Sequence, residues 1–278
     1  MSALRILSTK LDQKPFASWI IVTILIFLLC MMSTLDTLRV TEKAGLSFAQ
    51  IYLLSMSLLL NLIFVFSIIV IFMTSDAYQN KNAWNRNLLI RAGNRKNWLA
   101  AHICYLAILS AYIVLISLVS YFISSLIFLN PKFLLSNNWT CLTTKNTFPD
   151  VFAWNWSPLK AVGVFSLLLF LRFLFLALVI FCINLTQKKH QWGFVFPLMF
   201  GLLEWKFENF FPKLALHSIL PYDHTILCGT FSSITGSVQD RVPIADSLVY
   251  WGVLIGITVL WAYLATSSKD FAVLEGNQ

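Results

Sequence analysis

The sequence predicts an all-α integral membrane protein, one domain over residues 1–278 with six transmembrane helices and both termini cytoplasmic. Three observations lead there. Hydrophobic residues make up 58% of the chain and charged ones 12%, with mean hydropathy +0.76, whereas an average soluble domain carries roughly 25% charge. Apolar stretches recur at about residues 16–35, 51–73, 99–129, 160–185, 192–211 and 248–265, and a helix needs about 20 such residues to cross the hydrocarbon layer. The basic residues are unevenly placed. With both termini inside, Arg5, Lys10, Lys14, Lys81, Arg86, Arg91, Arg95, Lys96, Lys188, Lys189 and Lys269 fall on the cytoplasmic side. Arg39, Lys43, Lys132, Lys145, Lys160, Lys213 and Arg241 fall outside, on longer loops, which is the bias that orients multispanning proteins.

Residues 1–15 set Leu4, Leu7 and Leu11 on one helical face with Arg5, Lys10 and Lys14 elsewhere, a short amphipathic lead-in that ends at Pro15. The first apolar run, 16–35, reads as a permanent helix. A signal peptide would have a shorter apolar core and a small-residue cleavage site, which Cys30-Met31-Met32 is not. A short polar connection, 36–50, leads to the second span, 51–73, where Asn61 is the one polar intruder and suits a hydrogen bond to a neighbouring helix.

The stretch 74–99 is too polar to enter a bilayer and carries Lys81, Arg86, Arg91, Arg95 and Lys96 against the single acid Asp76. At helical period Ala77, Trp84, Leu88 and Ala92 line one side, so an amphipathic helix at the membrane surface is expected up to the Gly93-Asn94 break. It serves either as a positive topological anchor or as a grip for something outside the membrane. The third run, 99–129, exceeds one straight crossing and must tilt, kink or emerge before Asn130-Pro131 ends it.

The loop 130–158 holds Trp139, Phe152, Trp154 and Trp156, the residue types that settle at headgroup level. The fourth span, 160–185, carries Arg172 at its centre, and a basic hairpin, Gln187-Lys188-Lys189-His190, follows. The fifth, 192–211, is compromised by Pro197 and by Glu204, Lys206 and Glu208. The proline-containing stretch 211–246 is apolar in patches and fits a re-entrant or surface-lying pair of short helices. The last span is 248–265.

No GxxxxGK[ST], HExxH or GxSxG stretch occurs, so the usual signatures of nucleotide hydrolysis, zinc peptidase and serine hydrolase chemistry are missing. Basic residues cluster beside apolar runs and form no readout stripe, so nucleic acid is not the expected partner. His102 and His190 stand apart, and His217 and His224, without nearby Cys or clustered acids, read as polar surface rather than metal ligands. Cys141 and Cys228 lie in the two outer segments and can pair if these face an oxidising compartment. Arg172 is the most informative charge, because a cation at mid-bilayer costs on the order of 3 kcal/mol and needs a partner. Counted from the hairpin, Arg172 and Glu204 lie about 13 and 12 residues along their helices, at the same depth of roughly 18 to 20 Å, with Glu208 one turn further. The pair either locks two helices together or meets a substrate.

Three stretches, SDAYQNKNAWNRNLLIRAGNRKNWLAAH, LLEWKFENFFPKLALHSILPYDHTI and YLATSSKDF, together resemble the membrane subunit of a type-2 ABC transporter, an exporter-style permease of bacterial inner membranes. Such proteins have an amphipathic helix and basic turn leading into the third helix, a proline-containing outer segment of the ILP type, and a terminal KD pair. This chain departs from them in having Asp76-Ala77 where Glu is frequent. The resemblance implies two six-helix subunits, alike or different, each docked on a separate ATPase subunit that binds ATP and Mg, with no cofactor and no enzyme activity on this chain. Asp76, Lys81, Trp84, Leu88 and Arg91 would belong to the coupling helix in the ATPase cleft. The outer segment around Pro221 would cap the translocation path. Two other classes stand beside it: a membrane-embedded enzyme using Glu204, Glu208, His217 and Asp223, and a non-transporting sensor or assembly subunit. An apolar lining suits lipid, peptide or drug alike.

Overall fold

The computed structural model describes residues 16–40, 46–58, 60–79, 95–129, 134–136, 139, 156–186, 195, 197–199, 201–202, 221, 224–225 and 244–268. The elements described there are helices: α1 (Phe16–Val40), α2 (Phe48–Leu58), α3 (Leu60–Gln79), α4 (Arg95–Phe128), α5 (Pro158–Thr186) and α6 (Ile244–Ser268). Of these, α1, α4, α5 and α6 are long and apolar enough to cross a membrane. The residues of the second expected span fall in α2 and α3, with residue 59 outside the described set, and neither helix is among the four long enough to cross. Of the fifth, residues 195, 197–199 and 201–202 are described, all helical.

Local chemistry explains where the helices begin and end. Helix α1 runs five residues past the apolar run, and in that polar end Asp36 and Arg39 pair across one turn at 3.5 Å on the exposed side, a contact that favours the helix slightly. Ser47 and Gln50 form a reciprocal cap on α2: Ser47 N–H donates to Gln50 Oε1 at 3.1 Å, and Gln50 N–H donates to Ser47 Oγ at 3.4 Å. Phe48 N–H also donates to the Leu134 carbonyl, so the start of α2 is held by the chain beyond α4. Helix α5 starts with Pro158, whose missing N–H costs nothing at that position, behind the Ser157 hydroxyl that accepts from Lys160 N–H. Helix α4 takes Arg95 and Lys96 into its first turn. Its 34 residues span about 51 Å, so it emerges from a hydrocarbon layer of about 30 Å, as its length required.

Side-chain contacts fix the helix directions. Trp19 packs edge-on against Tyr112 and Tyr121 O–H donates to Ser33 Oγ, so α1 and α4 run parallel. Tyr52 of α2 meets both Tyr121 and Phe165, whereas His102 stacks on Phe181, so α4 and α5 are antiparallel. Phe175 meets Trp251, and seven residues on in both helices Cys182 Sγ donates to the Thr258 carbonyl. Helices α5 and α6 are therefore parallel. The end of α4 that carries Arg95 is also where α3, α5 and α6 stop, and Arg95 Nη1 donates to the Ser267 carbonyl at 3.0 Å there. By the same register α6 starts level with Leu168. The chain after Thr186 thus has to climb back about 27 Å before α6 can begin. Gly201 marks that return: a Cβ there would come within 3.2 Å of the Phe64 ring at mid-length of α2 and α3, so the glycine lets this segment pack tightly on α3.

The bundle is apolar outside and partly polar inside. Ile21, Met32, Leu115, Ile127, Val249 and Ile257 are each at least 58% exposed, while Ser33, Thr34, Thr37, Ser55, Ser110, Ser117, Ser120 and Ser124 are buried. A soluble domain has the reverse arrangement, and small hydroxyl residues at helix contacts are how helices associate when lipid surrounds them. Most hydroxyls are satisfied locally: Thr34, Ser110 and Ser124 donate to the carbonyl four residues back, and Thr37 bonds Ser55 across helices at 2.7 Å.

Cysteine substitutions at three exposed or half-buried helix ends check the parallel pairing. In sealed membrane vesicles, Thr186→Cys and Ser267→Cys are expected to react with an impermeant thiol reagent from one side and Lys160→Cys from the other. Reaction of Ser267→Cys on the Lys160 side would mean that α5 and α6 form an antiparallel hairpin.

Candidate functional site

Arg172 lies 14 residues from each end of α5, about 21 Å in, and is 5% exposed. Its Nη1 makes a long hydrogen bond, 3.5 Å, to Thr225 Oγ1, and Thr225 in turn donates to the Pro221 carbonyl at 2.7 Å. The proline-containing segment therefore reaches the middle of α5.

Helix α6 holds the same turn from its other side. The His224 ring stacks on Tyr250 with centroids 3.8 Å apart and planes 11° from parallel. Its Nδ1 lies 3.2 Å from Ser247 Oγ, and the Trp251 indole N–H donates to the His224 carbonyl at 3.1 Å. Trp251, fully buried, meets Phe175 of α5 and so closes a ring of contacts from α5 through the turn to α6 and back. A turn in hydrocarbon is tolerated only where protein meets its backbone, and the Trp251 indole does that for His224. Within this node, one cation, two hydroxyls, an imidazole and an indole converge at mid-depth. It can bind or position a polar group, and it can hold the turn in place.

The reading of His224 as polar surface is corrected: it is 4% exposed, with its ring stacked on Tyr250 and its Nδ1 beside Ser247 Oγ. Likewise His102 is fully buried between Trp98, centroids 4.0 Å apart, and Phe181 at 5.4 Å, with Nδ1 at 2.9 Å from the Trp98 carbonyl. Among the described residues no group of three or more His, Cys, Asp or Glu could hold a metal ion. Cys30 and Cys182 are buried free thiols and Cys104 is an exposed one.

Other expected site residues lie outside the described residues: Lys81, Trp84, Leu88 and Arg91 of the basic stretch, Glu204 and Glu208, Cys141 and Cys228, and His217 and Asp223. Asp76 falls in the last turn of α3, continuous with the span before it. At the opposite end from the basic stretch, Trp139 N–H donates to the Trp156 carbonyl at 2.7 Å and Lys160 Nζ stands 4.6 Å over the Trp156 ring, so two of the expected interfacial aromatics meet at the start of α5. Sequence reading missed Thr225, Ser247, Tyr250 and Trp251. The one available signal was the Tyr250-Trp251 pair near the start of an apolar run, since such rings carry a polar atom that must find a partner once buried.

No protein-family model matches the chain, and no curated protein matches it.

Two experiments test the node. Trp251→Phe leaves the buried His224 carbonyl without its donor and is expected to lower stability in detergent by about 1 to 3 kcal/mol. A double-mutant cycle of Arg172→Met with Thr225→Val is expected to show a coupling of about 0.5 kcal/mol or more, and the same cycle with Glu204→Gln tests the ion pair anticipated from depth. Additive losses would separate Arg172 from the partner in question.

Proposed function

We propose that this chain is the membrane-spanning subunit of an ATP-driven exporter of the type-2 ABC kind, in the plasma (inner) membrane, working with a second permease subunit and with separate ATPase subunits that carry ATP and Mg. In this reading the second crossing is α2 with α3 and the fifth is the return through 192–211, which makes six. The observation that carries the reading is the layout at one end of the bundle. The stretch 80–94, with Lys81, Arg86 and Arg91, joins α3 to α4 at the end where α5 and α6 stop. A surface helix there would be bolted to two spans at once and, through Arg95, to the end of α6. Movement of a docked ATPase would then reach three helices through one contact, shifting the bundle between two packings.

The buried turn at Pro221–Thr225 fits the second requirement, a re-entrant segment that caps a path from the other end. Arg172 and the hydroxyls around it would give that path a polar level at mid-depth. Lipid, peptide and drug substrates all remain compatible with it.

The chain, tagged and purified from its own membranes, is expected to bring down a protein that carries GxxxxGK[ST] in near-equal amount. Leu88→Asp should leave insertion intact and remove that partner, because a carboxylate on the docking face has no place in an apolar cleft. Normal recovery of the ATPase with Leu88→Asp would reject the coupling helix, and absence of any such ATPase from the unmodified chain would reject the transporter in favour of a sensor or embedded enzyme.

A further inference from the structure

Two buried polar atoms on neighbouring helices have no hydrogen-bond partner among the described residues: Trp98 Nε1 on α4 and Asn184 Oδ1 on α5. Both atoms are closed to solvent. They are complementary, since an indole N–H can only donate and an amide oxygen can only accept. Trp139 and Trp251 show the ordinary arrangement, each indole N–H donating to a backbone carbonyl, at 2.7 and 3.1 Å.

The two side chains also lie at one level of the contact between α4 and α5. The Phe181 ring meets both His102, at 5.4 Å, and Trp98, at 6.0 Å, which stand four residues apart on α4. Asn184 is three residues, about 4.5 Å, further along α5 than Phe181. Because the helices are antiparallel, that step runs the way Trp98 lies from His102, towards the end where α4 begins. Asn184 shares its face of α5 with Ile180 and Phe181, one turn back and both fully buried, so it stands on the packed side of the helix.

A buried donor and a buried acceptor, both unmet at one level of one helix contact, are a bond that this packing leaves open. The rings beside them let the packing change. Trp98 and His102 have centroids 4.0 Å apart and planes 39° from parallel, and His102 and Phe181 are 24° from parallel. Flat rings in offset contact slide past one another with little loss of burial, unlike interlocked aliphatic side chains.

We infer that the first two turns of α4 have a second packing against α5, in which the Trp98 indole N–H donates to Asn184 Oδ1, and that the chain exchanges between this packing and the one seen here. The pair belongs to α4 and α5 alone and needs no partner protein. Arg95, in the same turn as Trp98, is bonded to the Ser267 carbonyl, so this latch is linked to the end of α6. A pull on the segment that enters α4 acts on it directly.

The indole N–H is itself the probe. The chain is prepared in detergent with isotopically labelled tryptophan, and the Trp98 signal is identified by its loss in Trp98→Phe. Relaxation-dispersion NMR is expected to show this signal exchanging, on the microsecond-to-millisecond scale of helix shifts, with a form shifted downfield as a bonded N–H is. Asn184→Leu and Asn184→Ala, which remove the acceptor, are expected to abolish the exchange and leave a single upfield signal. Asn184→Gln, which keeps an amide oxygen within reach, is expected to retain it. The Trp251 indole signal, identified in the same way with Trp251→Phe and held by the His224 carbonyl, reports that each variant is folded. A Trp98 signal that does not exchange in the unmodified chain, or exchange that persists in either folded variant without the acceptor, overturns the latch.

Discussion

The bundle depends on α5. Apart from Ser166, Arg172 and Asn184 its middle is apolar all round, and it is the most buried of the four long helices. A helix of that composition has no polar face to show, so it takes the centre and the others arrange around it. Its parallel contact with α6 then sets the topology: two neighbours that run the same way cannot be joined by a tight hairpin. The chain must return between them, and the space it returns through is where the fold places Gly201 against α3 and the Pro221–Thr225 turn against Arg172.

Polarity inside the bundle follows from the same surroundings. With lipid outside, burying another leucine gains little, because hydrocarbon tails are as apolar as the core. What distinguishes one helix contact from another is close approach and hydrogen bonding. Thr37–Ser55 joins the neighbouring helices α1 and α2, Tyr121–Ser33 and Tyr52–Ser166 join helices distant in sequence, and each fixes a register that apolar packing alone would leave free to slide. The Thr23–Tyr112 contact does the same near the start of α1.

Sequence and structure agree best where a single helix decides the outcome. The apolar runs became α1, α4, α5 and α6 because length and composition suffice to specify a crossing, and Arg172 was recognisable since no charge sits at the middle of such a run without a reason. Helix ends were read less well. The run-based limits missed the Asp36–Arg39 pair and the Ser47–Gln50 cap, because both are polar, and polar residues look like loop until their partners three residues away are considered together. The node around His224 was beyond reach for another reason. Its members come from α5, the 221–225 turn and α6, and only the parallel register of the two helices brings them to one level.

Arg172 and Thr225 are 53 residues apart in the chain, which has a consequence for how the protein is made. At a synthesis rate of about 5 to 20 residues per second, α5 leaves the ribosome some 3 to 10 s before the threonine that will meet its guanidinium. During that interval the insertion machinery handles a segment with an arginine at its midpoint, a position that penalises entry by about 2.5 to 3.5 kcal/mol. The flanking leucines and phenylalanines of α5 offset this by themselves, at roughly 0.3 to 0.6 kcal/mol each. The extreme apolarity of this helix therefore serves biogenesis as well as packing: it lets the nascent chain commit an unmet charge to the bilayer and wait for the rest of the protein to arrive.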